Sequence, residues 1–126
     1  MIKNLDGYNE AHNNMIELVI CNNDSMAEGV ISALNDEGYN LGDDTGITIP
    51  VFGVEATEEA RELIATGKMT GTVKQDAEGM AACLAALAKN VGDEKEILDG
   101  MEGYKVDSEI TNKIYIPCSE YMGEQN

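Results

Sequence analysis

The sequence predicts an α/β domain, a Rossmann-like three-layer lobe with a mostly parallel sheet. Three observations carry this expectation. Short runs of nearly unbroken apolar residues recur, each is followed by a helical pattern with its own start and stop signals, and segments rich in Gly, Asp and Asn join them. Continuous apolar strands suit a parallel sheet covered on both faces, and the alternation implies right-handed crossovers.

Ile2, Leu5 and Tyr8 recur at helical spacing, interrupted by Gly7, and predict a helix feeding the first strand, "IELVIC" (Ile16 to Cys21). In "SMAEGVISALNDEG" that follows, Ser25 and Glu28 have capping-box spacing, Met26, Val30 and Leu34 recur every four residues, and Gly38 is a stop signal. A second strand, "IPVFGV" (Ile49 to Val54), precedes a helix with Thr57 as cap, acids in its first turn, Ala60, Leu63 and Ile64 on one face, and Gly67 at its end. The third repeat is "MTGTV" (Met69 to Val73) and a helix capped by Asp76, whose stripe of Met80, Cys83, Leu84, Leu87, Ala88 and Val91 ends at Gly92. "NKIYIPC" (Asn112 to Cys118) reads as a further strand that Pro117 brings to an edge or exit. The segments "GYNLGDDTG" (Gly38 to Gly46) and "GDEKEILDGMEG" (Gly92 to Gly103) read as surface loops.

The chain's 126 residues suit one domain with a real core, and 43% hydrophobic content is that of a folded protein. Eight Lys and Arg against 24 Asp and Glu give a net charge of -16, a field that repels nucleic acid and anionic lipid. No apolar run approaches the roughly 20 residues that span a bilayer, and Met1 is not followed by the charged and apolar regions of a signal peptide, so the chain as written is expected to carry no export signal. Cys21, Cys83 and Cys118 are widely spaced, form no CxxC, and have only His12 to join them. A zinc site is not expected, and three small buried hydrophobes are.

In an open parallel sheet, ligands bind beyond the carboxyl ends of the strands. Here those ends present Asn22, Asn23 and Asp24, then Glu55, then Lys74, Gln75 and Asp76. Amides donate and accept at once while carboxylates accept strongly, a mixture that suits sugar hydroxyls. Helix capping alone accounts for Asp24, Ser25 and Asp76. Asn22, Asn23, Glu55 and Gln75 are less easily explained that way. Neither GxGxxG nor GxxxxGK[ST] is present, which argues against nucleotides, and the single histidine, in the first predicted helix, leaves no nucleophile and base for an enzyme.

The segments "IELVICNNDSMAEGVISAL", "IPVFGVEATEEARELIATGKMTGTVKQDAEGMA" and "NKIYIPC" together resemble the C-terminal part of the periplasmic galactose/glucose-binding proteins of ABC transporters, in the type I sugar-binding family. The resemblance runs from about Ile16 onward. It implies a single partial lobe over residues 1–126 of a receptor whose two Rossmann-like lobes close on a monosaccharide, without catalysis, outside the cytoplasm, beside a transporter permease. By the same resemblance Asn23 hydrogen-bonds sugar hydroxyls, with Asn22 beside it. Glu55 stands where the family usually has Asp, one methylene shorter. Gln75 stands where galactose/glucose binders carry Asn and ribose-type relatives carry Gln. Glu17 matches an acidic calcium ligand of some members, but one carboxylate does not build a site of six to eight oxygens, and no cofactor is expected. The family's N-terminal lobe and its stacking aromatics have no counterpart in a chain with no Trp and one Phe. The helix over residues 76–91, which in the family packs on that lobe, is left needing the absent lobe or a second copy.

Three other readings stand beside this one. The effector-binding core of LacI-type transcription regulators shares the fold. The stripe on the third helix suits an interaction module. Asp43 and Asp44 form an acidic pair of the kind a phosphoacceptor domain uses, although they lie in a glycine-rich loop rather than after a strand.

Overall fold

The computed structural model describes residues 16–42 and 46–123. In chain order the elements are β1 (Val19–Ile20), α1 (Asp24–Asp36), β2 (Val51–Val54), α2 (Glu58–Ala65), β3 (Gly71–Gln75), α3 (Ala77–Gly92), β4 (Lys105–Val106), β5 (Ile114–Tyr115) and β6 (Cys118–Tyr121). They belong to two compact units, one running up to Lys74 and resuming at Glu120, the other Gln75–Ser119. The helix expected around Ile2, Leu5 and Tyr8, His12, and the pair Asp43 and Asp44 lie outside the described residues.

The first unit is built on a sheet of order β1-β2-β3-β6. β1 and β2 are parallel with Val19 opposite Val51, and β2 and β3 are parallel with Phe52 opposite Gly71. Ala27, Ile31 and Leu34 of α1 and Ala60 and Ile64 of α2 share one core with Cys21, Ile49, Val51 and Met69. Two successive right-handed crossovers between neighbouring strands place both helices on the same side of the sheet, which this shared core reflects. Strand residues alternate between faces, so Leu18 and Ile20 point away from that core and are 49% and 75% exposed. In the first unit the described residues thus supply the sheet and one helical layer.

Several elements begin elsewhere than their patterns suggest. β3 starts at Gly71: the Met69 amide donates to the Leu63 carbonyl at 3.1 Å, closing the end of α2 rather than joining the ladder, and its side chain is buried. A Cβ at Gly71 would overlap Met122 Sδ and press on the Tyr121 carbonyl, so glycine lets β6 lie close to β3. The cap of α1 is Asn23, not Ser25: its Oδ1 accepts from the Met26 amide at 2.9 Å, and the exposed Ser25 is already inside the helix. Thr57 caps α2 as its sequence implies, accepting from the Ala60 amide at 3.2 Å.

The segment that reads as a surface loop after α1 contains a fully buried polar residue. Asn40 has φ of +51°, a left-handed conformation that Asn tolerates better than most residues. Its Nδ2 donates to the Ile49 and Lys68 carbonyls at 2.8 and 2.9 Å, and its Oδ1 accepts from the Ile49 amide at 2.9 Å. One amide thereby ties the entries of β2 and β3 together in the core.

In the second unit α3 is capped by Asp76, whose Oδ1 accepts from the Gly79 amide at 2.9 Å. Asn90, near its end, donates to the Ile97 and Asp99 carbonyls at 3.0 and 2.8 Å and organises the following turns. "NKIYIPC" is not one strand. Ile114 and Tyr115 pair antiparallel with Lys105 and Val106, and Ile116 and Pro117 separate them from β6. Proline has no amide hydrogen for a ladder, which accounts for the break. Cys21 and Cys83 are buried as expected, whereas Cys118, beside this break, is exposed.

Candidate functional site

The carboxyl ends of β1, β2 and β3 form the rim of the first unit. Asp24, the first residue of α1, is fully buried there. Its Oδ2 accepts from the Thr57 amide at 2.8 Å and its Oδ1 from the Thr72 hydroxyl at 2.6 Å, joining the start of α1 to the β2–α2 turn and to β3. Buried carboxylates persist only with such partners, and bonds to a charged acceptor contribute about 1.5–3 kcal/mol each. Gly53 in "VFGV" has the matching requirement, since a Cβ there would overlap Asp24 Oδ1 and approach Met69 Cε. The sequence suggests a cap for Asp24. The structure gives the cap to Asn23 and makes Asp24 the fastener of the rim.

The turn after β2 holds the least relaxed backbone of the rim. Glu55 has φ of +118° and Ala56 of +58°, neither being glycine. Such conformations cost about 1–3 kcal/mol each and persist where surrounding contacts impose them. Here the Glu55 amide donates to the Val73 carbonyl at 2.8 Å, the Ala56 methyl is buried, and the Thr57 amide is bound by Asp24. Glu55 itself projects into solvent from this three-point arch.

Asn22 is exposed and Asn23 half-buried at the same rim. The cap occupies Asn23 Oδ1, and the remainder of its carboxamide, the Nδ2 group, is a hydrogen-bond donor. Lys74 is exposed at the end of β3. Gln75 is the last residue of that strand and the first of the second unit, and it too is exposed. The structure therefore brings Asn22, Asn23 and Glu55 to one rim, with Asp24 behind them. An open edge of this kind, carrying amide donors and carboxylate acceptors, can bind hydroxyl groups. Among the described residues no cluster of three or more His, Cys, Asp or Glu gathers to hold a metal, and Glu17 lies exposed ahead of β1, at the opposite end of the sheet from the rim. These residues do not fit a calcium site.

In open parallel sheets ligands bind beyond the carboxyl ends of the strands, which is where the polar residues of this α/β unit lie. The sequence matches the periplasmic binding protein domain over residues 2–96, and the chain belongs to that family. It is 36% identical over 87 residues to the D-galactose/methyl-galactoside binding periplasmic protein of Haemophilus influenzae, covering 69% of this chain and 24% of that protein. A Rhizobium meliloti protein named for rhizopine binding is 32% identical over 103 residues, covering 80% of this chain and 27% of the relative. The chain thus spans about a quarter of the length of these relatives.

Proposed function

We propose that this chain is the ligand-binding segment of a sugar solute-binding protein, taking a monosaccharide such as galactose or glucose without catalysing a reaction. The observation that carries this reading is the Asp24-fastened rim, which presents Asn22, Asn23 and Glu55 together in a chain whose relatives include a galactose binder. In this reading Asn23 Nδ2 donates to a ring hydroxyl and Glu55 accepts from one. Gln75 adds an amide that accepts and donates, and Asn22 contributes from the outer edge. The rest of a two-lobed receptor, or a second copy, supplies the remaining contacts to the sugar and, separately, covers the 76–91 helix. The finer expectations, an extracytoplasmic setting and delivery to a transporter permease, rest on the family alone.

A rim without an opposing lobe binds weakly. Losing about six hydrogen bonds at roughly 0.5–1.5 kcal/mol each removes on the order of 3–9 kcal/mol, which turns a micromolar site millimolar or weaker. Thermal unfolding of the chain with galactose, glucose or ribose at up to tens of millimolar tests the reading. A sugar-specific rise in midpoint that disappears in Asn23→Ala supports it. Equal midpoints with and without every sugar, alongside a cooperative transition, count against it.

One observation favours an interaction role as well: Leu84 and Val91 on α3 are 65% and 62% exposed. If that face associates, light scattering shows a mass above the monomer that Leu84→Glu returns to 13.6 kDa. A monomeric mass for the unaltered chain refutes association with itself.

A further inference from the structure

We propose that Asp24 is a positioning residue for ligand binding: through the Thr57 amide it holds the Glu55–Ala56 arch in the conformation that presents Glu55 at the rim. The inference rests on the assignment of Glu55 to the sugar site. It goes beyond that assignment by naming what sets the carboxylate's direction.

The geometry is specific. Glu55 and Ala56 occupy positive φ in succession, conformations that non-glycine residues leave unless both sides are held. On the upstream side the Glu55 amide is bound to the Val73 carbonyl, part of the β2–β3 ladder. On the downstream side the Thr57 amide meets Asp24 Oδ2 at 2.8 Å, while Asp24 Oδ1 is held by the Thr72 hydroxyl at 2.6 Å. The carboxylate is fully buried and Gly53 leaves the space for it, so its own position is fixed by packing as well as by bonding. Asp24 touches no ligand in this account. It restrains one end of the arch, and when that restraint is lost Ala56 can return to negative φ and swing Glu55 away from Asn23.

Two readouts separate this role from simple support of the fold. The first is the three-bond HN–Hα coupling and the Cα shifts of Glu55 and Ala56, which report φ directly and need no ligand. The second is galactose affinity, followed by chemical-shift titration. Asp24→Ala is expected to move Glu55 and Ala56 to negative φ while the α1 and β2 signals keep their native pattern, and to weaken sugar binding at least tenfold. Asp24→Asn retains an acceptor for the Thr57 amide and is expected to recover most of the arch signature; if the alanine variant does not fold, the asparagine variant is compared with Thr72→Val. Thr72→Val removes the other buried hydrogen bond without touching the arch, and its Glu55 and Ala56 couplings are expected to stay native.

Unchanged couplings in Asp24→Ala overturn the proposal. So does an equal change in Thr72→Val, since that would mark a general loosening, or, where only the asparagine variant folds, a larger loss of the arch signature in Asp24→Asn than in Thr72→Val combined with full-strength sugar binding. If the unaltered chain binds none of the sugars, the sugar reading fails on its own, and the couplings still decide whether Asp24 holds the arch.

Discussion

The two units hold themselves together by different means. In the first, Ile31, Leu34 and Val51 are buried to 2% or less, and the buried polar side chains Asp24, Asn40 and Thr72 all have partners reaching across the fold. In the second, Cys83, Asn90 and Met101 are the buried residues, while Leu84, Val91 and Ile110 stay more than half exposed. Its hairpin is organised by surface chemistry. Asp107 accepts from the Tyr115 hydroxyl and from the Ile110 and Glu109 amides, and Lys105 and Lys113 lie 5.3 and 4.6 Å from the Tyr115 ring centroid. A βαβ unit closes a core around its own sheet, whereas one helix and a two-stranded hairpin have no second layer to bury their apolar faces.

The contrast is most easily broken in the first unit. Leu34→Ala removes a side chain with no exposed surface and should cost about 2–5 kcal/mol in urea unfolding. Leu84→Ala, on the exposed face of α3, should stay within about 0.5 kcal/mol. Equal costs would erase the distinction. Asn40→Ala strands the Ile49 and Lys68 carbonyls and places Ala at positive φ, for an expected loss of about 2–4 kcal/mol. Gly53→Ala pushes a methyl onto Asp24 and should cost about 1–3 kcal/mol, less if the carboxylate can move aside.

In the second unit the test is pH. The hydrogen bond from Tyr115, then those from the Ile110 and Glu109 amides, hold Asp107 at about 2, below the ordinary carboxylate value; desolvation opposes them, and Lys113 adds the least. A depressed folded value means that the hairpin's contribution is complete above the ordinary carboxylate pKa, near 4, and is lost as pH falls through about 2. Tyr115 and Ile110 signals should therefore titrate near pH 2, and a midpoint near 4 would contradict the bonding described. The smallest effect is chemical. Burial raises the Cys21 thiol above its usual value while Cys118 is exposed, so iodoacetamide should modify Cys118 first, as peptide mapping would show.

Much of the first unit was legible because its signals are local. Thr57 and Gly67 lie within a few residues of the groups they serve, as does Asp76 in the second unit, and "VFGV" reads as a buried parallel strand from composition alone. Asp24 was not legible. Beside a helix start a carboxylate looks like a cap, and its actual partners are 33 and 48 residues away. Asn40 was hidden in the same way, inside a segment whose Gly and Asp content suggested a loop. β4, two residues long in a charged stretch, has no apolar pattern, and Pro117 concealed the division between β5 and β6. Of the strand-end residues, Asn22, Asn23 and Glu55 stand at the rim of the first unit, a placement that follows from the parallel strand order. The positive φ at Glu55 and Ala56, which determines where Glu55 points, leaves no mark in a sequence without glycine at either position.

Whether the rim fastened by Asp24 receives a sugar is decided by amide chemical-shift mapping of the whole chain against D-galactose, with glucose and ribose in parallel. Saturable shifts at Asn22, Asn23, Glu55, Gln75 and their neighbours are expected, with a millimolar dissociation constant and a loss in Asn23→Ala. Saturable shifts centred elsewhere, for example in the groove between α1 and α2 lined by Glu28, Asn35 and Glu62, or no saturable shift with any of the three sugars, would contradict a sugar site at the rim.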